Sequence, residues 1–326
     1  MPLLKPEGGN TVLTNLVFSL NIVLPLFVVI LFGAFLKHKG LVDTPFLNTG
    51  NKLVFLFGIP ASIFISLYQA DITEVFNPTF ITYAVVFTLF SFFAVWLFAH
   101  IFIRDKSIIS AFVQGSFRGN YAILGVPLLV NILGPERAAL GALVLAFVVP
   151  IYNIFSTIIL AIYSPTIDKI SARALLMAVA KNPIIIGVVL GVVTSLSGIR
   201  LPAIANSSVS SIAVLSGPLA LICLGGNIGF KGFEIRFKFS VIATVIKLVI
   251  LPVICTAAGY ALGFRGDELT VLMVMSGVPT ALAGYAMAVQ FGGDGYTSST
   301  IILLTTLLSA FTLTVFIYVF RTVGVI

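Results

Sequence analysis

The chain has 326 residues, of which 59% are hydrophobic and only 9% carry a formal charge. Soluble domains carry charge on about 25% of their residues, because charged side chains cover the surface that faces water. This composition excludes an ordinary soluble protein. The mean hydropathy of +1.17 extends along the whole chain without the alternation typical of a lipid-facing barrel, so the sequence predicts an all-α membrane protein.

The net charge of +7 arises from 18 basic and 11 acidic residues. The basic residues are scattered singly or in pairs between apolar runs and form no basic face, which argues against nucleic-acid binding. Cys223 and Cys255 lie inside apolar runs, where they predict packing rather than a disulfide or a metal site. The expected partner is the lipid bilayer, with no nucleic acid, no cofactor and no metal.

Ten apolar runs are long enough to cross a bilayer, which takes about 20 residues. These predicted spans, numbered in chain order, cover residues 12–36, 46–69, 79–103, 107–133, 138–163, 174–198, 205–229, 239–263, 269–291 and 297–320. The first run is too long for a signal-peptide core and is followed by Lys37 and Lys39 rather than by a cleavage site. We therefore expect it to be retained as the first span.

Basic residues favour the cytoplasmic ends of membrane spans. If the amino terminus is outside, eleven lie at inner ends: Lys37, Lys39, Lys52, Arg104, Lys106, Lys169, Arg173, Lys181, Lys231, Arg236 and Lys238. Five then lie at outer ends: Lys5, Arg137, Arg200, Arg265 and Arg321. The sequence thus predicts a multi-pass protein of the plasma membrane with both termini extracytoplasmic.

Ten spans that start outside would place two five-span halves in opposite orientations. The first half would be residues 1–163 and the second half residues 174–326, joined by a cytoplasmic linker of residues 164–173. LFGIPASIFI (56–65) in the second span and VLSGPLALIC (214–223) in the seventh both centre on a proline, which indicates a repeat. Because membrane helices often contain proline, this pair is weak support by itself.

The fourth and ninth spans carry helix breakers at corresponding positions. They contain FRGNYAILGVPLL (117–129) and SGVPTALAGYAMA (276–288). Proline removes a backbone donor and clashes with the preceding turn, and glycine tolerates unwound backbone. The breakers are Gly119, Gly125, Pro127, Gly277, Pro279 and Gly284. We expect both spans to be discontinuous near the middle of the membrane.

Paired, interrupted spans in inverted halves are typical of a transporter substrate site, because unwound backbone at that depth must face protein or a cavity. Half-helices beginning after Pro127 and near Gly284 would direct their positive dipole ends at this cavity, which suits an anion. The alternative is two kinked helices that simply pack tightly.

The segment NYAILGVPLL, with Asn120 seven residues before Pro127, resembles the fourth-span crossover of the auxin efflux carrier family. That family includes plant PIN auxin carriers and bacterial permeases assigned to malate or malonate. LPLFVVILFGAFLKHKGLVD (24–43) resembles its first span and loop, and KLVILP (247–252) resembles its eighth span. The resemblance covers essentially the whole chain.

This resemblance implies the inverted-repeat fold of sodium/bile acid symporters, with elevator-type alternating access. Crossing spans four and nine would belong to a transport domain, and spans one, two, six and seven to a scaffold through which we expect a homodimer. The resemblance implies that Asn120 binds the substrate. The further candidate substrate-binding residues around the two crossovers are Gly119, Tyr121, Pro127, Pro279, Thr280 and Gly284. Plant members have a second proline where Gly284 stands and often a long cytoplasmic loop, so plant-like auxin specificity is not implied.

Two basic residues fall inside predicted spans. Arg118, about eleven residues into the fourth span, should face protein or water because an arginine in lipid is costly. Its planar fork either binds an anionic substrate or bonds carbonyls of the broken span. Lys247, in the eighth span, either balances the carbonyl end of a broken helix or completes an anion site. All eleven acids lie in loops or at span ends, which argues against a sodium/proton antiporter.

Other polar side chains within spans fit either a substrate contact or a hydrogen bond between helices. They are Tyr152, Asn153, Asn227, Gln290, Thr305, Ser309 and Thr312, and Asn153 is included among the candidate substrate ligands. No serine, histidine and acid combination lies at membrane depth, so no enzyme is expected.

The sequence predicts a secondary transporter of a small organic anion, a carboxylate such as malate, malonate or an auxin-like acid. The alternative is a membrane sensor or scaffold that binds a ligand without transporting it.

Overall fold

The computed structural model describes residues 11–69, 76–134, 136–164, 177, 181–227 and 237–326. These residues form helices and short connections, and their one β-type pairing is an isolated bridge. The helices, numbered in chain order, are α1 Thr11–His38, α2 Thr44–Gln69, α3 Pro78–Phe102, α4 Lys106–Phe117, α5 Tyr121–Leu133, α6 Ala139–Ile162, α7 Pro183–Leu196, α8 Ala203–Asn227, α9 Phe237–Ala261, α10 Gly266–Gly277, α11 Ala283–Gln290 and α12 Gly295–Thr322.

Seven of the described helices are long and apolar enough to cross a membrane: α1, α2, α3, α6, α8, α9 and α12. The prediction of an all-helical membrane protein is therefore confirmed. The fourth and ninth apolar runs are each divided in two, into α4 with α5 and α10 with α11. The sixth run contains the 14 residues of α7.

Part of the predicted topology lies outside the described residues. It includes most of the linker 164–173 and five of the basic residues counted for orientation, namely Lys5, Lys169, Arg173, Lys231 and Arg236.

Three helices contain a widened π-helical turn, and a proline follows each turn by two residues. The turns are Val54–Gly58, Tyr121–Gly125 and Ile246–Ile250, and the prolines are Pro60, Pro127 and Pro252. A proline lacks the backbone N–H and crowds the carbonyl four residues earlier, so the preceding turn widens to accommodate it. Each of these helices therefore continues through its proline.

Glycines bring two pairs of helices into backbone contact. A Cβ atom at Gly33 or Gly225 would overlap the carbonyl of Ile222 or of Ile30, so α1 and α8 pack backbone to backbone. A Cβ atom at Gly187 or Gly191 of α7 would come within 2.9 Å of α2. Small residues four apart allow this close approach in membrane helices, where dispersion contacts supply most of the attraction.

The helices form two packed groups. Helices α1, α2, α7 and α8 pack on one another, and α3, α4, α6, α9, α10 and α12 pack around the two divided spans. The two groups are in direct contact, because α1 also packs along α12 and Asn15 of α1 forms hydrogen bonds with Thr322 and Arg321 of α12. In the second group the Tyr83 hydroxyl donates to the Cys255 carbonyl at 2.6 Å, and the Asn77 amide donates to the Glu268 carboxylate at 2.7 Å.

At the helix ends of the second group, Arg137 forms an ion pair with Asp267. The hydrogen bonds that the Arg137 guanidinium donates to the Asp267 carboxylate, together with the negative charge of that carboxylate, raise the pKa of Arg137. The pair joins the connection after α5 to the first turn of α10.

Candidate functional site

The two junctions of the divided spans touch each other in the interior. Gly119, between α4 and α5, lies opposite Thr280, between α10 and α11, in an isolated antiparallel bridge. The Asn120 N–H donates to the Pro279 carbonyl at 2.7 Å, and the Ala281 N–H donates to the Arg118 carbonyl at 3.3 Å. The unwound backbone groups of each junction thus form hydrogen bonds with those of the other. Such pairing is needed in the membrane interior, where no water is available to bond them.

Side chains bind the carbonyl ends of the two helices that enter this crossing. The Thr280 hydroxyl donates to the Gly115 carbonyl of α4 at 2.5 Å, and the Lys247 ammonium donates to the Ser276 carbonyl of α10 at 2.5 Å. The Thr305 hydroxyl of α12 accepts the Thr280 N–H at 3.2 Å. Thr280 and Lys247 therefore supply partners for carbonyls that the interrupted helices cannot bond themselves.

The amino-terminal ends of α5 and α11 begin on the other side of the crossing. Asn120 directly precedes α5, and its carbonyl accepts the Leu124 and Gly125 N–H groups. Its side chain makes no capping bond, and the buried Nδ2 atom has no hydrogen-bond partner among the described residues. Asn120 therefore offers a free amide donor beside the positive end of a half-helix.

The side chain of Arg118, two residues before Asn120 in the chain, is also buried. It donates to Asn153 Oδ1 of α6 at 2.8 Å and to the Met287 sulfur of α11 at 3.0 Å. Neither acceptor carries a charge, and no carboxylate of the described chain pairs with Arg118. A buried guanidinium without a counter-charge favours binding of an anion.

Two further candidate residues, Tyr121 and Gly284, have other neighbours. The Tyr121 side chain is buried, and its hydroxyl donates to the Gly141 carbonyl of α6 at 3.0 Å. Gly284 lies in the first turn of α11, where a Cβ atom would be 3.5 Å from the Gln114 amide.

One expectation about helix starts is wrong. α5 begins at Tyr121, six residues before Pro127, and Pro127 lies within it. The widened turn before Pro127 accommodates the proline, and the actual break falls at Arg118 to Asn120, where Arg118 is extended. In the second divided span, α11 begins at Ala283, next to Gly284 as expected.

A cavity of about 600 Å³ lies between α5 and the helices α1, α2 and α8. It extends from Pro25 and Ile59, near the middle of their helices, to Gln69 at the end of α2. Pro127 lines it, whereas Asn120 is 4% exposed and does not. The lining combines apolar side chains with serines, Gln69 and Asn131 and includes no charged residue.

Three residues of the cluster were not singled out in the sequence. Met287 contacts Arg118, Ser276 contributes only its backbone carbonyl, and Gln114 has a buried side-chain oxygen without a partner. Gln114 was detectable, because it precedes Arg118 by four residues and so lies on the same helical face. No pattern in the sequence marks Ser276, whose role depends on where α10 ends.

An apolar helical bundle whose interrupted helices meet beside buried cationic side chains is typical of a membrane transporter. The family comparison agrees, since a model described as "Membrane transport protein" matches residues 18–317. The chain belongs to this family, Mem_trans, which is the auxin efflux carrier family that the crossover motif indicated. The protein is thus a transporter and not an enzyme.

Curated relatives match the chain over nearly its full length. It is 24% identical to the uncharacterized transporter YfdV of Escherichia coli (strain K12), over 95% of this chain and 100% of that protein. It is 24% identical to the uncharacterized transporter MJ1031 of Methanocaldococcus jannaschii, over 89% of this chain and 95% of that protein. It is 27% identical to a Rhizobium meliloti protein named "Putative malonate transporter", over 92% of this chain and 95% of that protein.

Proposed function

We propose that this protein is a secondary transporter that binds a small organic anion, a carboxylate such as malate, malonate or an auxin-like acid, at the crossing of its two divided spans. The observation that carries the proposal is the cluster at that crossing. There the unpartnered Asn120 amide lies at the start of α5, and Arg118, two residues earlier in the chain, buries a guanidinium that has no acidic partner among the described residues. Helix starts, amide donors and a guanidinium all favour a carboxylate.

Within this proposal Asn120 and Arg118 bind the carboxylate directly, and Asn153 orients the guanidinium. Gly119, Pro279 and Thr280 shape the crossing, while Gly284 allows the start of α11 to approach it. Tyr121 and Pro127 position α5. The relative named "Putative malonate transporter" supports the choice of a carboxylate.

We further propose ten spans arranged as two inverted halves, residues 1–163 and 174–326. Supporting this, α4 and α10 both have 12 residues, both end at a junction, and both have a final-turn carbonyl that accepts a side-chain hydrogen bond. The excess of basic residues at one set of helix ends supports a plasma-membrane protein with both termini outside.

The transport step in this proposal is an elevator movement of the second helix group along α1, α2, α7 and α8. The cavity beside α5 supports it, because it lies between the two groups and extends from mid-bundle to the end at Gln69. In the proposed orientation that end faces outside. A homodimer through α1, α2, α7 and α8 would hold the static group in place, and exposed apolar side chains on α8 such as Leu215 are available for contact.

The test is flux of labelled malonate, malate and indole-3-acetate into proteoliposomes containing the purified protein. Saturable uptake of at least one acid, absent from protein-free vesicles, is the expected result. Saturable binding without flux would instead identify a sensor or scaffold. Binding and flux both absent for all three acids would remove the carboxylate proposal.

A further inference from the structure

Gln114 has a buried side-chain amide with few hydrogen-bond partners. The residue lies in the last turn of α4, four residues before Arg118, and is 1% exposed. Its Nε2 atom donates to the Met287 sulfur of α11 at 3.7 Å, and its buried Oε1 atom has no partner among the described residues. A buried acceptor that stays unpaired is costly. This oxygen therefore favours a ligand that supplies a hydrogen-bond donor.

The Met287 thioether determines which way the Gln114 amide faces. A thioether sulfur accepts a hydrogen bond but cannot donate one, so Nε2 rather than Oε1 faces Met287. The oxygen lies beside the first turn of α11, where a Cβ atom on Gly284 would be 3.5 Å from it. Because glycine has no side chain, the space that a side chain would fill next to this oxygen is left for part of a ligand.

Arg118 and Gln114 donate to the same sulfur atom. Arg118 Nη1 lies 3.0 Å from the Met287 sulfur, and Gln114 Nε2 lies 3.7 Å from it. A thioether is a weak acceptor, whereas a carboxylate oxygen accepts strongly from a guanidinium. A carboxylate that displaced the sulfur would therefore improve both hydrogen bonds. Methionine is unbranched and flexible, so its side chain can move aside for such a ligand.

We propose that Gln114 is a substrate-binding residue that selects carboxylates with a hydroxyl group on the carbon next to the carboxylate. This inference rests on the transport function proposed above. The carboxylate takes the place of the Met287 sulfur and accepts hydrogen bonds from Arg118 Nη1 and Gln114 Nε2. The 2-hydroxyl group then donates to Gln114 Oε1. A 2-hydroxy acid thus provides a partner for both ends of the buried amide.

Other small acids pair less well with Gln114. An ionised acid without a hydroxyl group, such as malonate, has only acceptor oxygens and leaves Oε1 unpaired. The ammonium group of a 2-amino acid could donate to Oε1, but its positive charge would lie close to the Arg118 guanidinium, which has no acidic partner in the described part of the chain. Like charges at such short range repel strongly in the protein interior. A neutral hydroxyl group avoids both penalties.

The test compares acids that differ by a single hydroxyl group, hydroxymalonate with malonate and lactate with propionate. Affinities for the purified full-length wild type are measured by ligand-induced thermal shift or by labelled-acid binding, at a pH well above the pKa values of the acids. Each hydroxy acid should bind at least about tenfold more tightly than its partner, because the partner leaves a buried acceptor unpaired.

Gln114→Met tests the residue directly, since methionine keeps the length of the side chain and removes the amide. The preference for the hydroxy acid should fall to within about threefold in each pair. A packing role for Gln114 would instead change the affinities of both acids equally and leave their ratio as in the wild type. Ser110→Ala is the control. It removes another buried hydroxyl without a partner among the described residues, one turn away on the same face of α4, and should keep the wild-type preference.

Met287→Ala tests the displacement of the thioether. With no sulfur to displace, all four acids should bind at least as tightly as to the wild type, and the preference for the hydroxy acids should remain. Lower affinity for all four acids in this variant would contradict the displacement. If Gln114→Met does not fold, the wild-type comparison within each pair still decides.

The inference is overturned if the wild type binds the two acids of either pair with equal affinity, or if Gln114→Met retains the wild-type preference. In both cases saturable binding of the acids leaves the carboxylate proposal standing, and only the role of Gln114 fails. If none of the four acids binds or is transported, the carboxylate proposal itself fails, and the role of Gln114 fails with it.

Discussion

The backbone N–H of Asn120 donates to the carbonyl of Pro279 at 2.7 Å, so the crossing is joined through main-chain atoms. The Asn120 side chain is not required for this bond, and its buried Nδ2 atom has no partner among the described residues. Because the side chain takes no part in this main-chain bond, the proposed ligand role can be tested without breaking the crossing.

Asn120→Ala should weaken carboxylate binding by about tenfold or more, since a hydrogen bond to a charged group contributes about 1.5–3 kcal/mol. The melting temperature should stay within about 3 °C of the wild type. Affinity is measured by ligand-induced thermal shift or by labelled-acid binding. Asn120→Asp, which introduces a negative charge at equal size, should bind still less. Near-normal affinity of the alanine variant would refute the assignment of Asn120.

The Arg118 guanidinium should contribute charge as well as geometry to the anion site. Arg118→Gln is expected to weaken a dicarboxylate more than a monocarboxylate, because an amide replaces a hydrogen bond but not a charge. Arg118→Lys keeps the charge and loses the planar fork, so an intermediate loss is expected. Affinities for a matched pair of acids are compared at a pH well above their pKa values. Equal losses for both acids on Arg118→Gln would favour a structural role.

Thr280→Val removes the hydroxyl that binds the Gly115 carbonyl. Leaving that buried carbonyl unpaired should lower the free energy of unfolding by about 1–3 kcal/mol, whereas Thr280→Ser should be close to the wild type. Thr306 offers a matched control, because its buried hydroxyl oxygen has no partner in the described chain. Thr306→Val should therefore be neutral or stabilising. Equal thermal stability of both valine variants would contradict the role of Thr280.

Gly225→Ala should be poorly tolerated, since its Cβ atom would overlap the backbone of α1 at Ile30. We expect a large loss of monodisperse protein in size-exclusion chromatography. Gly217→Ala, on the same helix, is the control, because its nearest neighbour would be 3.9 Å away. This substitution should be neutral or stabilise by up to about 1 kcal/mol, since alanine favours helix more than glycine. Similar yields of the two variants would disprove the close contact of α1 with α8.

Cysteines introduced beside Met1 and Ile326 should react with a membrane-impermeant maleimide in intact cells, if both termini are extracytoplasmic. The basic-residue asymmetry predicts this outcome. A cysteine beside Lys106, which lies at a predicted inner end, should react only after the cells are opened. The reverse labelling pattern would invert the topology, while labelling of only one terminus from outside would exclude an even number of spans.

Composition and the placement of breakers were sufficient to predict much of this protein. The membrane class followed from 9% charged residues, because the solvent that surrounds a chain dictates its outer surface. The division of the fourth and ninth apolar runs followed from their glycines and prolines, because the backbone conformations that these residues favour or exclude affect the adjacent helical turn directly. The crossover motif around Asn120 also indicated the family, and the comparison confirmed it.

Residues outside the motif were placed only by the tertiary structure. Arg118 and Lys247 were each compatible with two roles, because the sequence does not say which helix faces a buried charge. Packing brought Asn153 and Met287 to the guanidinium and the Ser276 carbonyl to the ammonium. The start of α5 at Tyr121 also depended on packing, since the widened turn relieved the clash of Pro127, and pairing with Pro279 placed the break at Asn120. Such contacts join residues far apart in the chain, and local sequence preferences do not encode them.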